Sequence, residues 1–432
     1  MIDLGEVHGE RPAPVAAAPA PVPWRALLGV LSIVLVATLA RATPQPVVRP
    51  PTVIPARLAD ATFIDNDRLF LVGPGPQLAD QSVRLRTISA YRLPDGHLLS
   101  QTTVAVVGAV SNVVEAGDTI VVSYQTDSGG SQATVALTAG SDRALWRRPE
   151  GLVGASGPAG IALISSGYGA QNEAVFSAVD LHSGAVRWTI RQPADGYTMI
   201  SGPVDRYPQW FVTVRTNGEL ETRDAVTGRI TATRAGPPLD RKANSLVWTA
   251  GNMAIIGGQT GGVTAYALPG LAPIWTTDVD LGQTWMENTC GPVLCAFRPQ
   301  HGIIALDPAT GRLLWSSDRW AYAQPAGNYL VAAVLDPKAD DPSYWVLDPR
   351  TGRVLGDFGK WETIASDAVP DQLYGIYTVP GQDVIFYGVL DPARRTVRIL
   401  GTGERVSGNC QTSVGALVCR LVDASVAIWR LR

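Results

Sequence analysis

Lysine is nearly missing from this chain of 432 residues: of 35 basic residues, all but Lys242, Lys338 and Lys360 are arginine. Charge of either sign is sparse, at 17%, and the net charge is −3. No stretch forms a basic stripe, which argues against a general electrostatic grip on nucleic acid. Histidine and cysteine number only four each. No long helical periodicity appears after residue 60, so a helical body is not expected. The motifs of common catalytic centres are absent as well. There is no G-x-S-x-G elbow, no H-E-x-x-H and no Walker loop, and Gly73-Pro74-Gly75 lacks the third glycine of a dinucleotide fingerprint. What the chain does have is 46% hydrophobic residues, enough at this length to bury an extensive core.

Those residues recur with a period. Eight times a short polar turn closes one apolar run and opens another, often onto a tryptophan. The clearest copies read ALDPATGRLLW (Ala305 to Trp315), VDLHSGAVRW (Val179 to Trp188) and VLDPRTGRVL (Val346 to Leu355). Taking the turn glycine or its substitute, the marks fall at Gly96, Asp142, Gly184, Gly228, Gly270, Gly311, Gly352 and Arg395, spaced by 41 to 46 residues. Asp307 can accept N–H bonds within its turn, Pro308 presets φ at the first corner, and Gly311 supplies a positive φ. The same aspartate position recurs as Asp180, Asp224, Asp348 and Asp391, which makes it a turn former and not a catalytic or metal site. Trp146, Trp188, Trp275 and Trp315 recur at one position and read as packing residues.

About four short strands fit within each unit, and a period of 40 to 45 residues built from strands is the signature of propeller blades. The expected fold is all-β: a β-propeller of four-stranded blades over residues 58–432, with eight blades and seven or nine as alternatives. Strand-like runs at Arg68 to Val72, Ala416 to Leu421 and Ser425 to Leu431 are expected to close the ring as a shared blade.

The N-terminus is organised differently. Residues 1–23 form a Pro/Ala-rich flexible tail, expected in the cytoplasm. Ala26 to Ala40 is an uninterrupted apolar run, and residues 24–42 are expected to form a single transmembrane helix. The alternative is a secretory signal cleaved near Ala42, since Ala40-Arg41-Ala42 satisfies A-x-A. Residues 43–57 read as a Pro-rich spacer. On either reading the propeller lies outside the cytoplasm, tethered to the cell membrane or secreted.

The four cysteines form two sequence-local pairs, Cys290 with Cys295 and Cys410 with Cys419. Four cysteines admit three connectivities, but only the local one needs no reach between blades. Neither pair is C-x-x-C, and His8, His97, His182 and His301 are scattered, so zinc is not expected. The acidic loop Asp336 to Asp341 has carboxylates suited to calcium, but a solvated loop accounts for them, and no metal is expected. Aromatics in irregular loops, Tyr168, Tyr197, Trp285 and Trp320, are the candidates for ligand contact.

The strings ALDPATGRLLW, VDLHSGAVRW and VLDPRTGRVL resemble the repeat of the pyrroloquinoline-quinone-like propeller family. That resemblance implies a propeller, commonly of eight blades, in one of two groups. Quinoprotein dehydrogenases hold the quinone and calcium in the central funnel beneath a ring of adjacent cysteines. No two cysteines are adjacent here, and no calcium-ligand set or catalytic aspartate is recognisable. The second group is non-enzymatic and includes the lipoprotein scaffold of outer-membrane protein assembly, although this chain has no cysteine near the apolar run to carry a lipid. The expected function is therefore a non-catalytic binding or scaffold module without a cofactor, holding a protein or envelope component at its loops or funnel. A quinone-dependent dehydrogenase and a carbohydrate-binding or lyase propeller are the rival expectations.

Overall fold

The computed structural model describes residues 50–431 apart from 76–83, 127–130, 167–173, 203–206, 240–245, 258–261, 283, 287–289, 339–340 and 365–371. Every regular element among them is a strand. The strands form nine antiparallel four-stranded sheets. Eight are continuous in sequence: blades 1 to 8 comprise residues 61–106, 110–148, 151–191, 196–235, 247–277, 285–317, 320–357 and 362–404. Blade 9 takes three strands from 406–430 and its fourth from the other end of the chain, where Thr52–Ile54 pairs with Val426–Ile428.

The blade count corrects the expectation of eight. The repeating mark is the turn between the third and fourth strands of a blade. Blade 9 has no such turn, because its fourth strand is Thr52–Ile54, a segment inside the Pro-rich stretch. Eight hairpin marks therefore correspond to nine sheets. The expected transmembrane helix gains no support from the described residues. No helix occurs among the described residues, and none there is long and apolar enough to cross a membrane. Residues 24–42, on which that expectation fell, lie outside the described residues.

Each blade runs from its innermost strand outward, as the contacts between first strands of blades 1 and 2, 2 and 3, 4 and 5, 5 and 6, and 8 and 9 show. Apolar side chains alternate along these strands and fill the seams between blades. Between blades 1 and 2, Phe70, Val72, Ile88 and Val104 meet Ile120, Val122 and Val135. Between blades 6 and 7 the filling includes Phe297, Ile303, Leu330 and Leu347. Closure is reinforced by polar contacts from blade 9: Ser413 Oγ donates to the Asn66 carbonyl in the first turn of blade 1, and Arg420 to that of Asp60 in the chain leading into that blade.

At four seams the repeat motif also locks one blade to the next. Asp307 accepts from the N–H groups of Ala309 and Thr310 at 2.9 and 3.2 Å, which shapes the turn. Asp180, Asp224 and Asp348 bind their turns in the same way. The tryptophan of the preceding blade then caps the turn. The indole N–H of Trp275 donates to the Pro308 carbonyl at 2.8 Å, and Trp315 to that of Pro349 at 2.7 Å. Trp146 and Trp188 dock similarly on Leu181 and Val226. Gly311 has φ +68°, and a Cβ there would lie 2.4 Å from the Trp275 ring, so glycine is required twice over. Between blades 7 and 8 the roles are exchanged: Gly356 replaces the tryptophan, and Arg395 replaces the glycine and lays its side chain over Gly356.

Candidate functional site at the aromatic mouth

Because every inner strand is entered from the outer edge of the preceding blade, all nine run in the same direction. Their first residues therefore surround one mouth of the ring. In blades 1, 2, 3 and 9 those residues are Ala61, Val110, Gly151 and Val406. From blade 4 to blade 8 an aromatic stands at or beside the start of every inner strand: Tyr197, Trp248, Trp285, Trp320 and Trp361. Half of the mouth is thus aromatic and half aliphatic or small.

These rings are held, and two are presented. Tyr197 is 39% exposed and Trp285 37% exposed. Trp248 and Trp361 are half-buried, and the Trp248 indole N–H donates to the Thr284 carbonyl at 3.1 Å. Trp285 stacks on Phe297, its cross-strand neighbour, with centroids 5.7 Å apart, and Phe297 stacks on Tyr322 of blade 7 at the same separation. The exposed indole is therefore the outermost ring of a three-ring stack that crosses a seam. Nearby, the exposed guanidinium of Arg319 lies 4.5 Å from the centroids of both Trp320 and Trp345, within range of a cation–π attraction.

Of the four aromatics singled out from the sequence, Tyr197 and Trp285 are exposed at this mouth. Trp320 is not available, being 2% exposed and committed to the blade 6–7 core. Tyr168 lies outside the described residues. Tyr322 and Arg319 were missed because a stack across a seam has no linear signature. The position of an aromatic at the start of five of the inner strands was readable once the repeats were aligned.

Titratable groups are shifted where the turns form. Hydrogen bonding to the Arg187 guanidinium, with help from the Ser183 N–H, holds the Asp180 carboxyl well below the ordinary range. The Ala309 N–H does the same for Asp307, the Arg394 N–H for Asp391, and the Ser425 hydroxyl for Asp423. Burial pushes the Tyr207 hydroxyl up, where it donates to the Ala225 carbonyl at 2.7 Å. Asp180, Asp307 and Asp391 serve the turns between third and fourth strands, whereas Asp423 lies beside the start of the inner strand of blade 9, 3.5 Å from Arg405. Among the described residues no three His, Cys, Asp or Glu side chains converge as a metal site would require. Asp341 is engaged by the Lys338 N–H at 2.9 Å.

Both cysteine pairs are joined locally, Cys290 to Cys295 and Cys410 to Cys419, with Cα separations of 5.7 and 4.2 Å. The first bond lies in the opening hairpin of blade 6, within the same seam as the aromatic stack. The second joins the first two strands of blade 9 beside a bulge.

No protein-family profile matches the chain, and no curated protein is similar to it in sequence. Among solved structures it is similar in fold to the BamB protein of Moraxella catarrhalis, at 12% identity and a TM-score of 0.40, over 88% of this chain and 97% of that one. It is similar also to the C-terminal WD40 domain of Sif2, at 9% identity and a TM-score of 0.41, covering 89% and 99%. The computationally designed Ika8 protein gives 13% identity and a TM-score of 0.43, covering 75% and 96%.

Proposed function

We propose that this chain is a non-catalytic propeller that works outside the cytoplasm and binds a protein segment at its aromatic mouth. The observation that carries the reading is the run of aromatics at five consecutive inner strands, with Tyr197 and Trp285 left exposed on a rigid wall. Aromatic and arginine side chains in such settings supply most of the energy of protein recognition, since large rigid surfaces are buried with little loss of freedom. The three-ring stack prevents Trp285 from collapsing when no partner is bound, so its face is preorganised. Extracytoplasmic placement is supported by the two disulfides, a pairing that persists in oxidising compartments.

Selection from a random peptide display library on the full-length protein tests the binding role. The expected outcome is a set of peptides that bind saturably and lose at least about tenfold in affinity, roughly 1.4 kcal/mol, when Trp285 or Tyr197 is replaced by alanine. Enrichment that is indifferent to both substitutions, or saturable binding of glycans in place of peptides at this mouth, would contradict it.

A further inference from the structure

The seam between blades 3 and 4 has an apolar core of Leu163, Phe176, Ile190 and Phe211, and beside that core a charged stretch. In the third strand of most blades a bulge precedes the turn, and the residue after it packs against the blade before. That residue is Tyr91, Leu137, Val179, Tyr266, Leu306 and Leu347 in blades 1, 2, 3, 5, 6 and 7. In blade 4 it is Arg223. The polar character continues across the same face of blade 4, because Glu221 pairs with Thr213 and residues of like parity share a face. Arg223, Glu221, Thr213, Arg215 and Glu219, with Arg191 from the last strand of blade 3, line a cavity of about 140 Å³.

The charges in it are incompletely matched. Arg223 Nε donates to Glu221 at 2.6 Å, and a second nitrogen to the Gly228 carbonyl at 3.2 Å. Arg215 is matched twice, by Asp195 at 3.1 Å and Glu219 at 3.6 Å. Arg191 makes no ion pair with any described residue. The ion pairs of Arg215 are exposed and contribute little to stability.

We infer that the seam between blades 3 and 4 binds a small monocarboxylate, with the carboxylate on the Arg191 guanidinium. One unmatched guanidinium balances one negative charge, and its planar fork fits a carboxylate in two-point contact. Glu219 and Glu221 oppose an anion of higher charge such as phosphate. The walls are strands and not loops, so the site exists before the ligand arrives.

Isothermal titration of the full-length protein with sodium propionate, at ionic strength fixed with chloride, tests this, with inorganic phosphate as a second arm. Saturable binding of propionate is expected, weakened at least tenfold in Arg191→Gln, a variant whose substituted side chain is exposed and leaves the core untouched. The double variant Glu221→Thr with Arg223→Leu, which restores the polarity seen at these positions in other blades, is expected to melt no lower than the parent and to lose binding. Propionate binding no better than chloride, equal binding by Arg191→Gln, or phosphate binding more tightly than propionate would each overturn the inference. Should the double variant not fold, the Arg191→Gln comparison still decides.

Discussion

At the residue scale, the stability of the ring depends on glycine and tryptophan meeting across seams. Gly311→Ala forces both an unfavourable φ and a contact of 2.4 Å with the Trp275 ring. It should cost about 3 kcal/mol or more in urea unfolding. Gly327→Ala, at φ +59° with open space around the new Cβ, should cost only about 1 kcal/mol. Equal effects would mean that the docking contact is unimportant. The turn aspartates make a prediction in pH. Their carboxyls are held lower in the folded chain than an unfolded aspartate near 3.9. The stability they contribute is therefore present above pH ~4 and lost as pH falls through and below that value. Replacing Asp307 and Asp391 by asparagine should flatten the fall in thermal midpoint between roughly pH 4 and 2, and an unchanged slope would show that other carboxylates dominate. These roles were legible in the sequence: the Asp-Thr-Gly pattern states local turn chemistry, and a tryptophan at one repeated position states packing. The exchange of Gly356 and Arg395 was not, because compensation between blades appears only when the two residues are seen to touch.

At the element scale, the strand Thr52–Ile54 closes the ring although it is only three residues long. Ile54 is 3% exposed and packs with Val418, Val426 and Ile428. Ile54→Ala should cost about 2–4 kcal/mol, and deletion through residue 57 should leave blade 9 with an unpaired edge that promotes association. Size-exclusion chromatography of the truncated protein checks this, and a monomer of unchanged melting point would contradict it. A three-residue strand among prolines carries no alternation to read, so its place was hidden and one blade went uncounted. The two disulfides, by contrast, followed from short spacing within one hairpin each. Reducing either should cost about 2–3 kcal/mol by loop-closure entropy, read as a drop in urea midpoint for Cys290→Ala/Cys295→Ala or Cys410→Ala/Cys419→Ala.

At the scale of the whole molecule, the architecture sorts the aromatic residues into two classes that a linear sequence does not separate. Tryptophans of the fourth strands bind turns at the outer rim and are used up in holding the ring together. Aromatics at the starts of the inner strands converge on one mouth, and there two of them remain exposed. Tyr197 and Trp285 were visible as candidates because both stand in irregular sequence, but Trp320 stands in similar sequence and is buried. Only the packing of blade 7 against blade 6 distinguishes them. The blade 3–4 seam was overlooked for a related reason: Arg223 reads as an ordinary polar residue beside a turn until its equivalents in the other blades are aligned.

The central claim is that this mouth, and not the turn motif, binds the partner. Its most direct test is a competitive fluorescence titration of one library-selected peptide against full-length wild-type protein, Trp285→Ala, and Trp315→Phe as the turn-motif control. Binding lost at least tenfold in Trp285→Ala and retained in Trp315→Phe is the predicted result. Retention of full affinity by Trp285→Ala, with loss in Trp315→Phe, would contradict the account.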